Sequence, residues 1–380
     1  MTGRHRLRLV LAALGLIFVL FMLWRLAPPA GTPRVESPPK QERIPVAPRH
    51  ESMSKTIFLE RRELGEVTDI VAGELDASSG PEIGIAGSCG AILVTESGKE
   101  KSFVAFRDWL DHVDIVDVEG DGVCEYLNRG SWSCDVVLMD HEGKAIWTHG
   151  GPSGVDDACA GDLDGDGKLE FVVGFNGGGG VRLLETNGKE QWTQPDGNVW
   201  HVEITDANGD GDLDIVHSNA AGQITVRNAR GSVVSRAHPT AYCSDFSLCR
   251  FPEKKGGKLA LLAENETIWL FDYDGTAITR LKAPGCGSLG HARGVPVKLE
   301  SGKGEYLAVV VDFQGRSASR LYVYDSAGAL VYRDALSEAC ASIAALSLGK
   351  SPTQTLLVGG DRKVWQYSLV GTGRRDRRPR

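Results

Sequence analysis

The sequence predicts an all-β protein, a seven-bladed β-propeller with an N-terminal single-pass membrane anchor. Three features support this prediction: an acidic nine-residue loop that recurs 44 positions later, apolar runs on both sides of each loop, and an apolar segment near the N-terminus. A repeat period of 20 to 50 residues is typical of a solenoid, propeller or array. Four short strands in each unit of roughly 43 to 50 residues favour a propeller blade. Seven such units fit residues 56–370.

The first 50 residues differ in kind from the rest of the chain. Residues 1–8 are basic, and the apolar stretch over residues 9–27 is interrupted only by Arg25. Its length falls between a signal-peptide core and a full membrane span. Prolines follow where small residues would direct cleavage, so we predict an uncleaved anchor, with a signal sequence as the alternative. The basic N-terminus then faces the cytoplasm, which places the propeller on the periplasmic or extracellular side.

Both ends of the propeller are predicted to be unstructured. Residues 28–50 contain seven prolines, which favour an extended spacer. Residues 371–380 form a basic tail, which we expect to be a disordered end. Residues 1–50 carry a net charge of +6 and the tail carries +4, so the segment between them carries −18 of the total of −8. Such an acidic body argues against nucleic acid as a partner and suits cation binding.

The propeller is predicted to span residues 51–370. Glycine occupies most of the turns between the third and fourth apolar runs, as at Gly188 and Gly275, where Asn-Gly and Asp-Gly are strong hairpin signals. The last unit contains three clear strands that end near Tyr367. We therefore expect the strand-like run at residues 56–59 to complete this unit and close the ring.

The eight cysteines of an exported domain are expected to form disulfides, because no Cys-x-x-Cys metal motif occurs. The blade register predicts two pairs, Cys89 with Cys134 and Cys243 with Cys286. Two cysteines inside first-strand runs are alternatively buried thiols: Cys159 and Cys249.

The acidic loops place oxygen atoms at positions 1, 3, 5 and 9, with a backbone carbonyl at position 7, which suits Ca²⁺ because this cation takes oxygen ligands in a flexible cage. The third unit supplies Asp162, Asp164, Asp166, the Lys168 carbonyl and Glu170. The fourth unit supplies Asp206, Asn208, Asp210, the Asp212 carbonyl and Asp214. The second unit keeps Asp117, Glu119, Asp121 and Glu125. We expect two calcium ions, with the second unit as the candidate for a third. The first unit keeps the spacing with less charge: Glu74, Asp76, Ser78 and Glu82.

These loops resemble those of FG-GAP and VCBS repeats, the calcium-bearing blades also found in integrin alpha-chain propellers. The resemblance covers about four-fifths of the chain and is strongest in the third and fourth units. An EF-hand is the competing motif, but it needs an acidic residue at loop position 12, where this chain has Val173 and His217. The resemblance implies that calcium stabilises the folded blades and performs no chemistry.

A second repeated turn, Gly-Lys-x-x-Trp, occurs with Trp147 and again with Trp192. It resembles the tryptophan-docking turn of quinoprotein-type propellers. The chain lacks the adjacent cysteine pair and the eighth blade of those dehydrogenases. We therefore predict that each tryptophan packs one blade against the next.

Polar residues recur five positions before the loop frame, where the innermost strands begin. The candidates for a ligand-binding face are Asp69, His112, Asp157, His201, Asp245 and His291. The mouth of a propeller channel gathers one residue from each blade and is a common place for a ligand. Polar residues that simply line a wet channel are the alternative interpretation. Trp109 lies nearby in the sequence and could stack on a sugar or a peptide.

No motif in the chain requires an enzyme. The preferred prediction is a membrane-anchored, calcium-stabilised propeller that binds a protein or glycan as an adhesion, scaffold or assembly module. This function comes from the resemblance alone. The alternative is a polysaccharide-active, lyase-like enzyme at the channel mouth, with His112, His201 or His291 as its general base. A purely structural ring within a larger envelope complex is the third interpretation.

Overall fold

Seven four-stranded antiparallel sheets make up the described part of the chain in a computed structural model. The structure describes residues 53–369 except 78–79, 130–134, 152, 240–245, 250–258, 265, 287–290, 302–303, 313–317 and 349–350. Six of the sheets contain four strands that are consecutive in sequence. Each of these sheets therefore corresponds to one unit of the predicted repeat, and the predicted seven blades are confirmed.

The strands of each blade are given from the innermost to the outermost, for blades 1 to 7 in order. The innermost strands are β2 (Val67–Gly73), β6 (Val113–Val116), β10 (Val155–Gly161), β14 (Val199–Thr205), β18 (Ser247–Cys249), β22 (His291–Val297) and β26 (Ser342–Leu346). The second strands are β3 (Glu82–Gly87), β7 (Glu125–Asn128), β11 (Glu170–Phe175), β15 (Asp214–Asn219), β19 (Leu259–Glu264), β23 (Tyr306–Asp312) and β27 (Thr355–Gly359). The third strands are β4 (Gly90–Thr95), β8 (Val136–Met139), β12 (Gly180–Leu184), β16 (Ile224–Asn228), β20 (Thr267–Phe271), β24 (Ser319–Tyr324) and β28 (Lys363–Leu369). The outermost strands are β5 (Glu100–Ala105), β9 (Ala145–His149), β13 (Glu190–Gln194), β17 (Val233–Ala237), β21 (Ala277–Lys282), β25 (Leu330–Leu336) and, in blade 7, β1 (Met53–Glu60).

The last blade closes the ring with a strand from the other end of the propeller. The outermost strand β1 pairs antiparallel with β28, with Thr56 opposite Gln366 and Ile57 opposite Trp365. The sheet order β1-β28-β27-β26 completes blade 7 as the sequence predicts. The innermost strand of this blade, β26, in turn contacts β2 of blade 1. Two distant parts of the chain thus hold the ring together.

The hydrophobic core is divided into clusters that lie between neighbouring blades. In the described part of the chain there are seven such clusters, one at each blade-to-blade interface including that between blades 7 and 1. The second strands are buried on both faces, for example throughout β3 and β11. This double burial explains why their sequences are continuous apolar runs and not alternating ones. Each blade is therefore stabilised mainly by its two neighbours.

The repeated tryptophans join adjacent blades, as predicted. The indole N–H of Trp147 donates to the carbonyl oxygen of Thr186 in blade 3, at 3.0 Å. Trp192 makes the same contact with Ala229 in blade 4, at 3.0 Å. Gly188, in the turn beside Trp147, has φ of +80°, and a Cβ at this position would lie 2.7 Å from the indole ring. Only glycine satisfies both the left-handed turn and this close approach.

The predicted localisation as a single-pass membrane protein requires correction. The predicted anchor at residues 9–27 lies outside the described residues. Within them, the one helix is the short 3-10 turn Arg62–Leu64, and no helix is long and apolar enough to cross a membrane. The described residues therefore give no support to the predicted single-pass localisation.

The predicted disulfides are also corrected. Among the described residues, five cysteines have free thiols: Cys89, Cys124, Cys159, Cys286 and Cys340. Cys89 and Cys286 were each expected to form a disulfide, and their predicted partners, Cys134 and Cys243, lie outside the described residues. Cys159, for which the alternative was a buried thiol, is half-buried and packs against the core between blades 3 and 4, and desolvation raises the pKa of its thiol well above its ordinary value. The side chain of Cys249 is not described.

Candidate functional site

The acidic loops of blades 2, 3 and 4 share one pattern of hydrogen bonds, which folds each loop around its own side chains. In blade 3, the carboxylate of Asp162 accepts from the backbone N–H groups of Gly165 and Gly167, at 2.7 and 3.0 Å. Glu170, at position 9, accepts from the N–H of Leu163 at 2.8 Å. In blade 2, Asp117 accepts from the N–H groups of Asp121 and Gly122, and Glu125 accepts from that of Val118. In blade 4, Asp206 accepts from the N–H of Gly209, and Asp214 accepts from that of Ala207. The loop conformation is thus encoded by the repeated acids.

The donor set of blade 3 fits a hard cation. Asp162, Asp164 and Asp166 each offer a carboxylate oxygen within 4.8 Å of the others, and Asp164 and Asp166 are exposed to solvent. Among the described residues, this is the one such group of three His, Cys, Asp or Glu side chains. All-oxygen sets of this kind suit Ca²⁺ or Mg²⁺. In blade 4 the third position is Asn208, which contributes a neutral oxygen.

Electrostatic repulsion within the loops indicates that they favour a cation. Burial raises the pKa of Glu170, and the negative charges of Asp164 and Asp166 raise it further. The pKa of Glu125 in blade 2 and that of Asp214 in blade 4 are raised by burial and by their own loop acids. A bound cation would reverse this repulsion. The three loops therefore have the electrostatic character of cation sites.

In blade 1 a lysine occupies the centre of the corresponding loop. The Nζ of Lys101, on β5, lies 2.9 Å from Asp76 Oδ2 and also contacts Glu82 Oε1. Asp76 and Glu82 stand at positions 3 and 9 of the loop frame, where the other blades offer oxygens to a cation. Glu82 is buried, with 1% of its surface exposed. The first loop therefore satisfies its acids with a tethered ammonium group.

Neighbouring acidic loops are joined by backbone hydrogen bonds. Ala77 in the first loop donates to the carbonyl of Gly122 in the second, at 3.0 Å. Leu169 in the third loop donates to the carbonyl of Val118 in the second, also at 3.0 Å. The loop of blade 2 thus lies between two others that contact it directly. A change in one loop can therefore affect the next.

The predicted ligand-face residues lie where the innermost strands begin. Asp69, Asp157, His201 and His291 lie on β2, β10, β14 and β22, and His112 directly precedes β6. Asp245 lies outside the described residues. Asp69 and Asp157 each connect two blades, because their carboxylates accept from the N–H groups of Ile115 and Val202, at 2.9 and 3.1 Å. Both aspartates therefore have a structural role.

Arg129 is the centre of an ionic network in the channel. Its Nη1 donates to Asp157 Oδ1 at 2.5 Å. Its Nε lies 2.7 Å from Asp114 Oδ2. Asp157 Oδ2 lies 2.5 Å from His201 Nδ1, and His201 Nε2 lies 3.1 Å from Glu203 Oε1. The network thus runs continuously from blade 2 to blade 4.

The two carboxylates that share Arg129 differ in their pKa. Burial alone would raise the pKa of Asp157, but Arg129 and His201 hold it well below its ordinary value. Burial raises the pKa of Asp114 to about 7, against the opposing effect of Arg129 and with the help of Asp69 and Asp157. Asp157 contacts both Arg129 and His201, whereas Asp114 contacts Arg129 but not His201. We therefore regard Asp157 as the ionised partner of Arg129.

Two of the three channel histidines differ in what surrounds their rings. Both ring nitrogens of His201 contact carboxylate oxygens, so neither is available to a substrate. Burial lowers the pKa of His112 well below its ordinary value, and the positive charges of Arg129 and Arg293 lower it further. His112 is therefore neutral near pH 7.

Sequence reasoning identified Asp157 and His201 but missed their partners. Arg129 follows the second strand of blade 2 and Glu203 lies two residues beyond His201. Asp114 lies two residues beyond the position that the repeat frame indicates. The alternation of side chains along a strand could have found Glu203, because residues two apart share a face. No sequence signal indicates that Arg129 reaches the channel.

Comparisons with known proteins agree with this architecture. Residues 162–217 match the FG-GAP-like repeat. The structure is similar to BBS1N in a complex with ARL6DN soaked with mercury, with a TM-score of 0.58, 11% identity, and coverage of 84% of this chain and 96% of that chain. A lead-soaked crystal of the same complex gives a TM-score of 0.55, 13% identity, and coverage of 83% and 98%. BamB from Moraxella catarrhalis gives a TM-score of 0.46, 14% identity, and coverage of 80% and 84%.

No curated protein sequence matches the chain. The likeness to the solved structures shows the fold alone, because the identities are low. The matched repeat spans the acidic loops of blades 3 and 4, where the sequence most resembles the family. The predicted FG-GAP repeat is thus confirmed over residues 162–217, which match the model of that repeat family.

Proposed function

We propose that this chain is a calcium-stabilised propeller that binds a protein partner on the face formed by the connections between blades. The observation that carries the proposal is the exposure of Trp109, which has 61% of its surface accessible to solvent. It lies in the connection between β5 and β6, at the end of the blades opposite the acidic loops. A large exposed aromatic side chain is unusual on a soluble surface and is typical of binding hot spots.

The loop that carries Trp109 is held in place on both sides of it. The N–H of Phe106 donates to the carbonyl of Cys89 at 2.9 Å, and the N–H of Leu110 donates to that of Ser88 at 2.8 Å. Phe106 and Leu110 also pack against the core between blades 1 and 2. A fixed anchor loses little conformational entropy on binding. This arrangement supports recognition by a preformed surface.

The similar fold of BBS1N supports a protein partner over other ligands, since that propeller is seen in a complex with ARL6DN. The inference of a protein partner for this chain rests on this analogy of fold. Adhesion, scaffolding or assembly are the finer roles that such a module would serve. A glycan partner remains an outcome of the test, because Trp109 could also stack on a sugar ring.

Calcium contributes stability in this proposal. The acids of the blade 3 and blade 4 loops repel one another, and a cation that binds only the folded loops would stabilise them by mass action. Asp162, Asp164, Asp166 and Glu170 would hold the ion in blade 3 and Asp206, Asn208, Asp210 and Asp214 the ion in blade 4, with the carbonyls of Lys168 and Asp212. Blade 2 is the candidate for a third ion. The backbone bonds between loops would spread this effect to neighbouring blades.

The geometry of the channel gives less support to the alternative of a lyase-like enzyme. Of the three predicted bases, His201 has both nitrogens engaged. The charged groups around Arg129 pair with one another, which is typical of a network that holds blades together. A general base within reach of a substrate proton is the first requirement of such chemistry.

The proposal is tested by placing a photo-crosslinking amino acid at Trp109 in the full chain, expressed in its own cells. Ile146 on β9 serves as the matched control, because it is 53% exposed but lies on an outermost strand. We expect a discrete protein adduct from position 109 and none from position 146. No adduct at 109, or the same adducts at both positions, would refute the proposal. Binding to a glycan array that depends on Trp109 would replace the protein partner with a sugar.

A further inference from the structure

A cavity of about 340 Å³ lies beside the outer half of blade 6. Its walls come from the turn after β21, at Pro284 and Gly285, and from β24 and β25, which contribute Arg320, Tyr322 and Arg333. The acidic loops and the Arg129 network lie elsewhere in the protein. The cavity is thus separate from the sites described above.

The strand register explains which side chains face this cavity. Tyr322 pairs with Arg333, and Arg320 pairs with Ala335. Paired residues project from the same face of a sheet, and Tyr322 packs in the core cluster that joins blades 5 and 6. Both arginines therefore lie on the blade 5 side of blade 6.

The wall opposite the strands is fixed by hydrogen bonds to the turn. Arg320 Nε donates to the carbonyl of Gly285 at 2.9 Å, and the hydroxyl of Tyr322 donates to that of Pro284 at 3.1 Å. The N–H of Gly285 donates to Glu266 Oε1 at 3.0 Å. The guanidinium group of Arg320 is thus held in one position, with its two terminal nitrogens still available.

Two arginine side chains line the cavity, while the carboxylate of Glu266 accepts from the N–H of Gly285 in its wall. Within the described part of the chain, neither Arg320 nor Arg333 makes an ion pair with an acidic side chain. Asp334 lies at the edge of the cavity, but its carboxylate pairs with Lys55 at 2.8 Å and accepts from the hydroxyl of Tyr367 at 2.8 Å, on the blade 7 side. Two guanidinium groups therefore share one cavity on an otherwise acidic propeller.

We propose that this cavity binds a small oxyanion, the carboxylate or phosphoryl group of a ligand, between Arg320 and Arg333. The planar fork of a guanidinium group matches both oxyanions and binds them through paired hydrogen bonds. The volume is at the small end of the range for ligand pockets, which fits a compact molecule. The ring of Tyr322 supplies an apolar wall for the part of the ligand that carries the anion.

The test is calorimetric titration of the full-length protein with inorganic phosphate and, separately, with succinate. We expect the wild type to bind at least one of the two probes, and the preferred probe identifies the group as phosphoryl or carboxylate. Arg333→Gln should weaken that binding at least tenfold. This side chain is exposed.

The matched control is Arg62→Gln, which removes the same charge from an exposed arginine outside the cavity. Binding by this variant should equal that of the wild type. A second variant, Arg320→Lys, keeps the charge but loses the fork, and it should bind several-fold more weakly. If the wild type binds neither probe, or if both glutamine variants weaken binding equally, no specific oxyanion site exists there.

Discussion

The ammonium group of Lys101 lies 2.9 Å from the carboxylate of Asp76, in the position of the first acidic loop where the other loops place oxygens around a cation. Lys101 also contacts Glu82, which is buried. One blade thus carries its own positive charge, whereas among the described residues the loop acids of blade 3 make no ion pair with a lysine. This difference indicates that the repeated loop needs a positive charge, which either a residue or an ion can supply.

Replacing this lysine should therefore destabilise blade 1. We expect Lys101→Met to lower the thermal midpoint both with calcium and with EGTA, because it leaves the buried Glu82 without its partner. Lys144→Met, which changes an exposed lysine in the turn before β9, should leave the midpoint unchanged. Differential scanning calorimetry measures both. Equal midpoints for the Lys101 variant and the wild type would show that the ammonium group contributes nothing.

Neutralising one acid of blade 3 should remove one calcium ion. Asp166→Asn keeps the side-chain oxygen that accepts from the N–H of Lys168 but removes a charge from the cation site. We expect one fewer ion per chain by mass spectrometry, and a lower midpoint with calcium but not with EGTA. Asp140→Asn is the control, because Asp140 accepts comparable turn hydrogen bonds outside the acidic loops. If Asp166→Asn lowers the midpoint only in EGTA, the assignment of Asp166 as a calcium ligand is contradicted.

The ionic network in the channel should be sensitive to the loss of Asp157. Asp157→Asn removes the charge that pairs with both Arg129 and His201, so that these two groups lose the anion they share. Breaking a buried pair in this way costs about 3–5 kcal/mol of unfolding free energy. Urea unfolding near pH 7 measures the loss. Asp325→Asn, in the turn after β24, is the control and should change the unfolding free energy little. If Asp157→Asn changes it no more than this control does, the network is not structural.

Asp114 should make stability depend on pH in a defined direction. Burial raises its pKa to about 7 in the folded protein, above the value of about 3.9 expected in the unfolded chain. The unfolded chain therefore loses this proton first, and stability falls as pH rises from about 4 to about 7. Asp114→Asn should flatten this dependence, by about 1–2 kcal/mol between pH 5 and pH 8. Unfolding free energies at both pH values check it, and parallel profiles for variant and wild type would contradict it.

The sequence predicts most of the fold because each blade repeats the same local signals. Loop acids, buried second strands and turn glycines such as Gly188 all agree on four strands per unit. The pairing of β1 with β28 was also predictable, because the last unit lacked a strand. What the repeat cannot show is a contact made by a residue that only one blade possesses. Lys101 has no counterpart in the loop frame, so its place beside Asp76 and Glu82 appears only in three dimensions.

The channel illustrates the same limit. A shared position in the repeat identified Asp157 and His201, since that position begins each innermost strand. Arg129 reaches them from beyond the end of a second strand, and its partner Asp114 is shifted by two residues from the repeated position. The predicted disulfides find no support for a related reason: Cys89 and Cys286 have free thiols, and blade register assigns cysteines to equivalent loops without fixing the distance that a disulfide needs.

The central claim is that calcium bound by the acidic loops stabilises the folded propeller. The most direct measurement is the calcium content of the purified full-length protein, together with its thermal unfolding in calcium and in EGTA. We predict at least two calcium ions per chain and a midpoint that falls clearly when EGTA removes them. A protein that binds no calcium and unfolds at the same temperature in both conditions would contradict the claim.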